Sequence, residues 1–433
     1  MKRLVACLAA GLALLAAFGP PRSASRPDVV LILIDTLRRD HLPFHGYRRN
    51  TAPFLAHLGA RGAILENAYS TSAWTAPATA SLHTSLYPFQ HGVVTGRKAV
   101  SDLQAGGAAL QLNRIPRSAE TIAEAMSQAG YAAWALTENG NVSADMGFEQ
   151  GFSRFFPLHP AHTADVITRR LEELRPEILA RRPYFLYLHY MDVHGPYKRR
   201  APFPAKDPSP EARRLASYDN AIVYVDSHIQ QVYRRFGWDK NTIVIFTADH
   251  GEELGDHGNW GHAHNLYAET LNVPLVVVGL PGVTPGRRVY ERVSHVDVLP
   301  TLRGVAGGRG VSGDSGTSLL PLLRGERSRL PPRALYADLW RSPGGQRKAY
   351  LQATLFGSWK FIQGMEEGPL LFNLDADPLD LDNKFSAYPQ LGAELRQRFV
   401  DFEAASRRLE PEFQETLQDE AMNEELRALG YVN

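Results

Sequence analysis

Val29-Val30-Leu31-Ile32-Leu33-Ile34 is an unbroken apolar run that ends on a carboxylate, Asp35. A strand with one face in water alternates apolar and polar side chains, whereas a strand covered on both faces does not. The run therefore predicts a strand inside a layered structure. Runs of the same kind recur at residues 131–136, 184–190, 242–247 and 274–278, with helical patterns between them. Ser118 is placed to cap a helix that carries Ile122, Ala125, Met126 and Ala129 on one face and stops at Gly130. A longer helix starting near Glu211 aligns Leu215, Ile222, Val225, Ile229, Val232 and Phe236 in one stripe. The fold class that follows is α/β, an open, doubly wound sheet of parallel strands with helices on both faces.

In such sheets ligands bind beyond the carboxyl ends of the strands. Asp35 follows the first run, Asp192 and His194 follow residues 184–190, and Asp249-His250-Gly251-Glu252 follow residues 242–247. A lone aspartate after a strand is most often a helix cap, and a lone loop histidine is most often solvated. Three strands delivering carboxylates and imidazoles to one rim predict a divalent metal site open to a substrate oxygen. The segment from Ser72 to Leu82 has no strand pattern, and Pro77 suits the first turn of a helix beginning beside Thr75. Such a helix start offers free N–H groups to an anion. Thr75 is then either a nucleophile or merely a cap, and the local sequence leaves both open.

Composition narrows the chemistry. The 433 residues carry 47 Lys and Arg against 46 Asp and Glu, a net charge of +1 without the basic excess that nucleic-acid binding needs. Arg pairs at 169–170, 181–182, 199–200 and 213–214 are scattered and read as solvated faces. The single cysteine, Cys7, excludes disulfide frameworks, zinc–thiolate sites and a cysteine nucleophile from the body of the chain. Residues 1–25 combine Lys2 and Arg3, an apolar run to Phe18 and small residues near Ser25, the pattern of a secretory signal peptide. Cys7 precedes most of that run, which argues against lipidation, and the run is too short for a membrane span. Removal of this segment takes the net charge to −2 and predicts a periplasmic or secreted protein with no transmembrane anchor.

A Gly-, Arg- and Pro-rich stretch at 304–332 loosens the pattern, after which strand-like pieces at 334–339, 350–354 and 359–362 precede a helical tail from about Gln390. The division expected is a catalytic α/β domain at 26–325 and a small C-terminal α+β subdomain at 326–433. His83 and His91 read as structural and His295 as packing or capping, whereas His257 is left open. Trp74 and Trp260 flank proposed site residues and, as aromatics, more often pack than bind.

With these residues in hand, the chain resembles the sulfatase family of the alkaline-phosphatase superfamily. Residues 30–40 (VLILIDTLRRD) resemble the family's first metal-binding strand, and 75–85 with Pro88 and His91-Gly92 resemble its nucleophile segment. Residues 185–197 (FLYLHYMDVHGPY) are similar to the strand ending in H-x-P-Y, and 247–258 (TADHGEELGDHG) to the second metal segment. Residues 267–278, 293–301, 316–325 and 371–383 also look familial. The departures matter as much. Family sulfatases oxidise a Cys or Ser to formylglycine, and that position is Thr75, which cannot yield the aldehyde. The motif's arginine and serine are replaced by Thr79 and Ala78, and the G-K-W-H-L-G segment by residues 137–142 (TENGNV). Each lost charged hydrogen bond to an anion is worth about 1.5–3 kcal/mol, so a conventional sulfate pocket is depleted.

The resemblance implies Asp35, Thr75, Asp249 and His250 around one metal, with Thr36 a weaker ligand. Asp192, His194 and one of His262 or His264 are available for a second. With one metal, His194, His264 and Asn139 would hold substrate oxygens, and His194 or His264 could protonate the leaving group. The expected activity is attack by Thr75 on a phospho- or phosphonate ester, with hydrolysis or transfer of the resulting covalent ester. The substrate is a small-molecule, glycan-linked or lipid-linked anionic ester, bound by walls from 98–116 and 199–210. One or two ions of Zn, Mn, Mg or Ca would suit the site. Two other readings stand beside this one: a sulfatase that works without formylglycine, and a non-catalytic binding protein.

Overall fold

The computed structural model describes residues 26–96, 110–158, 163–198, 202–308, 313–341, 349–416 and 424. The predicted signal segment, and the parts of the predicted pocket walls at 98–109 and 199–201, lie outside the described residues.

Among the described residues, eight strands form one sheet in the order Arg287–Ser294, Ala63–Tyr69, Asn272–Val278, Thr242–Thr247, Asp28–Ile34, Tyr184–Tyr190, Ala132–Thr137, Arg154–Pro157. The five from Thr242–Thr247 to Arg154–Pro157 run parallel. Asp28–Ile34 lies between two parallel neighbours and every residue of it is buried, which accounts for its unbroken apolar character. Asn272–Val278 is antiparallel to both its neighbours, so the sheet is mixed. An all-apolar run reports burial on two faces and carries no information about direction. Ala63–Tyr69 and the edge strand Arg287–Ser294 were not expected. The edge strand's Arg287, Arg288, Glu291 and Arg292 break any apolar pattern, as suits a strand whose outer side must discourage further pairing.

The helices Pro53–Arg61, Ala164–Leu179 and Pro210–Phe236 pack as one group, and Thr75–Thr84, Ile122–Gln128 and Val298–Val305 as another. Pro210–Phe236 buries the stripe of Ile222, Val225, Ile229, Val232 and Phe236 and ends at Gly237 with φ 66°. The helix before Gly130 is capped by Thr121, not Ser118. The Thr121 hydroxyl accepts from the Glu124 N–H at 3.2 Å, and the Glu124 carboxylate accepts from the Thr121 N–H at 2.9 Å. That reciprocal capping box satisfies two otherwise orphaned donors, which Ser118 three residues earlier cannot do.

The strands Leu335–Arg341, Ala349–Phe356, Trp359–Gln363 and Leu370–Asn373 form an antiparallel sheet in that order. Leu335, Ala337 and Leu339 pack with Tyr69, Ala73, Leu266 and Leu271, and Tyr336 on the other face stacks on Phe402 of the helix Pro389–Ala405. The segment expected to be loose is docked where it is described. Thr317 N–H donates to Asp297 Oδ1 and Leu319 N–H to Thr301 Oγ1, both at 2.8 Å. A Cβ on Gly316 would lie 1.8 Å from the Val296 carbonyl oxygen, so only glycine permits that approach. The strand Glu412–Thr416 then returns to pair antiparallel with Leu110–Arg114.

Candidate active site

Asp35 and Asp249 leave the ends of adjacent parallel strands, so their carboxylates meet above the sheet. Between the first strand and Arg38 the chain turns sharply, and Thr36 adopts φ 55°. This left-handed conformation is costly for a β-branched residue. It is held by the Thr36 N–H donating to Asp249 Oδ1 at 3.2 Å and by Tyr218 OH donating to the Thr36 carbonyl at 2.8 Å. The Thr36 hydroxyl donates to the Val193 carbonyl at 3.0 Å.

Thr75 is the first residue of the helix Thr75–Thr84, with Trp74 at the cap position and no side-chain capping bond. Its hydroxyl lies instead 3.4 Å from Asp35 Oδ2 and 3.4 Å from His250 Nε2. His250 Nδ1 is 2.7 Å from the Gly251 carbonyl and must donate its hydrogen there, which leaves the Nε2 lone pair facing the site. Nε2 is 3.5 Å from Asp249 Oδ2 and 3.9 Å from Asp35 Oδ1.

Whether these residues suit a cation can be judged from their unmet capacity. Asp35 Oδ1 and Asp249 Oδ2 are fully buried and accept no hydrogen bond. Burial and the neighbouring Asp35 push the Asp249 carboxyl well above the usual range. For Asp35, burial acts in the same sense but is outweighed by the His189 hydrogen bond and by the His194 and His250 imidazoles, which hold it low. Burial, helped by His262, pushes His250 down to about 3, so it is neutral and able to ligate. Two converging carboxylates and a neutral imidazole fit a divalent cation.

Asn139, from the loop after Ala132–Thr137, donates from Nδ2 to Asp35 Oδ2 at 2.6 Å. His194 Nδ1 is 2.5 Å from the Gly195 carbonyl, and its ring centroid is 5.0 Å from that of His262. The His262 ring lies 4.8 Å from that of His250, and its Nδ1 is 3.0 Å from Glu252 Oε1. Burial alone would lower His262, but the Glu252 carboxylate outweighs it and raises the imidazole. His264 is exposed beside Gly261. The loop bearing both histidines is tied to the nucleophile segment by Ala263 N–H donating to the Ala73 carbonyl at 3.0 Å.

Asp192, considered for a second metal site, meets a helix start with one of its oxygens. Its Oδ2 accepts from the Ala164 N–H at 2.7 Å, at the start of the helix Ala164–Leu179. A carboxylate there meets the positive end of the helix, which favours its ionised form. His83 and His91 are buried among structural neighbours, and burial pushes each down to about 3. His257 bridges Glu269 and the Asp380 carbonyl and stacks on Tyr267. Trp260 packs under Arg214.

One site residue, His189, escaped the sequence reading, and a second, Glu252, was placed on the rim without a role. His189 Nε2 lies 3.2 Å from Asp35 Oδ2, and Asp35, His189 and Asp249 bring potential ligand atoms within 4.8 Å of one another. A histidine inside an apolar run buried on both faces is the signal that could have found it. Glu252, the partner of His262, was legible only as part of an acidic loop.

Known proteins share this fold. The family model described as Sulfatase matches residues 27–308. The choline-sulfatase of Rhizobium meliloti is 25% identical over 450 residues, covering 83% of each chain. Among solved structures, a 2-O GAG sulfatase superposes with a TM-score of 0.72 at 20% identity, covering 89% of this chain and 95% of the other. The phosphonate monoester hydrolase from Silicibacter pomeroyi superposes with a TM-score of 0.69 at 18% identity, covering 87% and 95%.

Proposed function

This chain belongs to the sulfatase family, and from that premise we propose an exported, divalent-metal-dependent enzyme that cleaves or transfers phosphoric or phosphonic esters through a covalent intermediate on Thr75. The observation that carries the proposal is the Thr75 hydroxyl at a helix N-terminus, 3.4 Å from both Asp35 Oδ2 and His250 Nε2, where a family sulfatase would carry an aldehyde precursor.

Asp35, Asp249 and His250 would hold the cation, with the Thr36 hydroxyl a weaker ligand because it is bonded to Val193. A bound divalent cation would supply the positive charge that favours the alkoxide form of Thr75 and offsets charge on the ester oxygens. The Thr75 oxygen, its proton given up to solvent, would attack the phosphorus in line, with the Thr75 and Ala76 N–H groups at the helix start available to the anion and Asn139 keeping Asp35 in place. His194 and His264 would contact ester oxygens or give a proton to the departing alcohol, and the Glu252 carboxylate beside His262 favours that ring's charged form. Water then cleaves the Thr75 ester, or an acceptor alcohol takes the group. A second ion on His194 and His262 is the alternative use of those imidazoles. The substrate is an anionic ester of a small molecule, glycan or lipid. Export rests on the signal-like residues 1–25; among the described residues, no helix is long and apolar enough to cross a membrane.

A second reading, sulfuric ester hydrolysis without formylglycine, is favoured by the choline-sulfatase likeness. Paired assays on aryl phosphonate monoesters, aryl phosphodiesters and aryl sulfates separate the two. Turnover of the phosphorus esters that is lost in Thr75→Ala supports the proposal. Turnover of sulfates alone replaces it with the second reading, and no turnover of any ester favours a non-catalytic protein.

A further inference from the structure

Asp35 uses its two oxygens differently. Oδ2 receives Asn139 Nδ2 at 2.6 Å, His189 Nε2 at 3.2 Å and Thr75 Oγ1 at 3.4 Å, whereas Oδ1 accepts nothing. An ionised carboxylate has no hydrogen to give, so the His189 nitrogen facing it must carry the proton. The other ring nitrogen, Nδ1, is then the acceptor, and Tyr187 OH at 3.0 Å is its donor. Tyr187 and His189 are two residues apart on the strand Tyr184–Tyr190 and so share a face; both are 0% exposed. The Tyr187 ring is fixed in turn by edge contact with His83, centroids 4.7 Å apart at 84°.

We propose that Tyr187 and His189 are positioning residues, a buried relay that holds Asp35 by Oδ2 and so presents Oδ1 to a cation shared with Asp249 and His250. The assignment rests on the metal-site reading above. Its rival is that His189 is itself a ligand, since its nitrogen reaches the same cluster. The rival strips the Nε2 hydrogen that Asp35 needs and makes Tyr187 incidental. Loss of such an orienting partner typically weakens a metal site about 10–100-fold.

The test is calorimetric titration of Mn²⁺ and of Ca²⁺, each alone, into the metal-stripped protein, for wild type, Tyr187→Phe, His189→Gln and His189→Leu, with circular dichroism confirming the fold of each. Glutamine can offer an N–H where His189 Nε2 stands, and leucine cannot. The relay predicts at least tenfold weaker binding in His189→Leu, several-fold weaker binding in Tyr187→Phe, and binding within about threefold of wild type in His189→Gln. Equal losses in His189→Gln and His189→Leu, with Tyr187→Phe unchanged, make His189 a ligand and overturn the relay. Affinities within twofold in all three variants overturn it as well. A wild-type protein that binds neither ion overturns the metal reading itself, a different result from the other two.

Discussion

Asn139 holds Asp35 with a short hydrogen bond, 2.6 Å from Nδ2 to Oδ2, and it lies in residues 137–142, the segment read from sequence as resembling the family's G-K-W-H-L-G. An uncharged amide thus stands against the carboxylate, in a segment where the sequence resemblance implies that the family's lysine is missing. A lysine there could face substrate; the amide is committed to Asp35 and to the Met191 sulfur at 3.0 Å.

Asn139→Leu removes a hydrogen bond to a charged group. The expected loss is about 1.5–3 kcal/mol of transition-state stabilisation, roughly tenfold to a hundredfold in kcat/KM. Steady-state kinetics on an aryl phosphonate monoester check this, and a change below threefold refutes the role.

Thr75→Ala should abolish turnover with little change in melting temperature, because the hydroxyl is engaged only by weak 3.4 Å contacts. Thr75→Ser should retain activity. Rapid acid quench of wild type during turnover should reveal a phosphoryl or phosphonyl adduct on the peptide containing Thr75, read by mass spectrometry. A fully active Thr75→Ala eliminates the covalent route.

In metal-free protein, Asp35 and Asp249 repel, and the Asp249 carboxyl is raised by burial and by Asp35. A raised carboxyl contributes stability that is present below its unfolded value of about 3.8 and fades as pH rises through the folded value. Asp249→Asn should therefore melt higher than metal-free wild type at neutral pH while losing metal content and activity. Thermal denaturation in chelator, beside metal analysis by mass spectrometry, checks both halves; unchanged metal content would place the ion elsewhere.

Far from the site, Asp226 accepts from the Phe54 and Leu55 N–H groups at 2.9 and 2.8 Å, capping the helix Pro53–Arg61. Burial pushes its carboxyl up to about 6. Folding stability should accordingly fall by up to about 3 kcal/mol as pH rises from 4 to 6, and level off above that. Denaturant titrations of wild type and Asp226→Asn across this range should differ in slope; parallel curves would refute the assignment.

The central strand, the rim carboxylates and the hydroxyl at residue 75 were legible because each is a local pattern: an apolar run, the residue after it, a proline in a first turn. What was not legible depends on partners distant in sequence. Asp192 looks like any rim aspartate until the Ala164 N–H claims it, 28 residues away. His189 sits inside an apolar run, where its chemistry shows only once Asp35 is known to be beside it, 154 residues away. The direction of Asn272–Val278 is set by its connections, not by its side chains. The stretch at 304–332 reads as loose from composition, yet Asp297 and Thr301 hold part of it.

Asp28–Ile34 is the first strand described and lies inside the sheet, flanked by Tyr184–Tyr190 and Thr242–Thr247. During synthesis it therefore emerges long before either flanking strand exists. Thr36 and Asp249, whose contact closes the site, are 213 residues apart. A ribosome-bound chain thus carries a sticky segment with neither edge paired until residue 190 and with one edge still open until residue 247, and the contacts that reward it are all non-local. Folding should be slow and late, with a holdase-sensitive window that ends only when residue 247 is free to pair. Single-domain truncations short of that point would aggregate and hold no partial site.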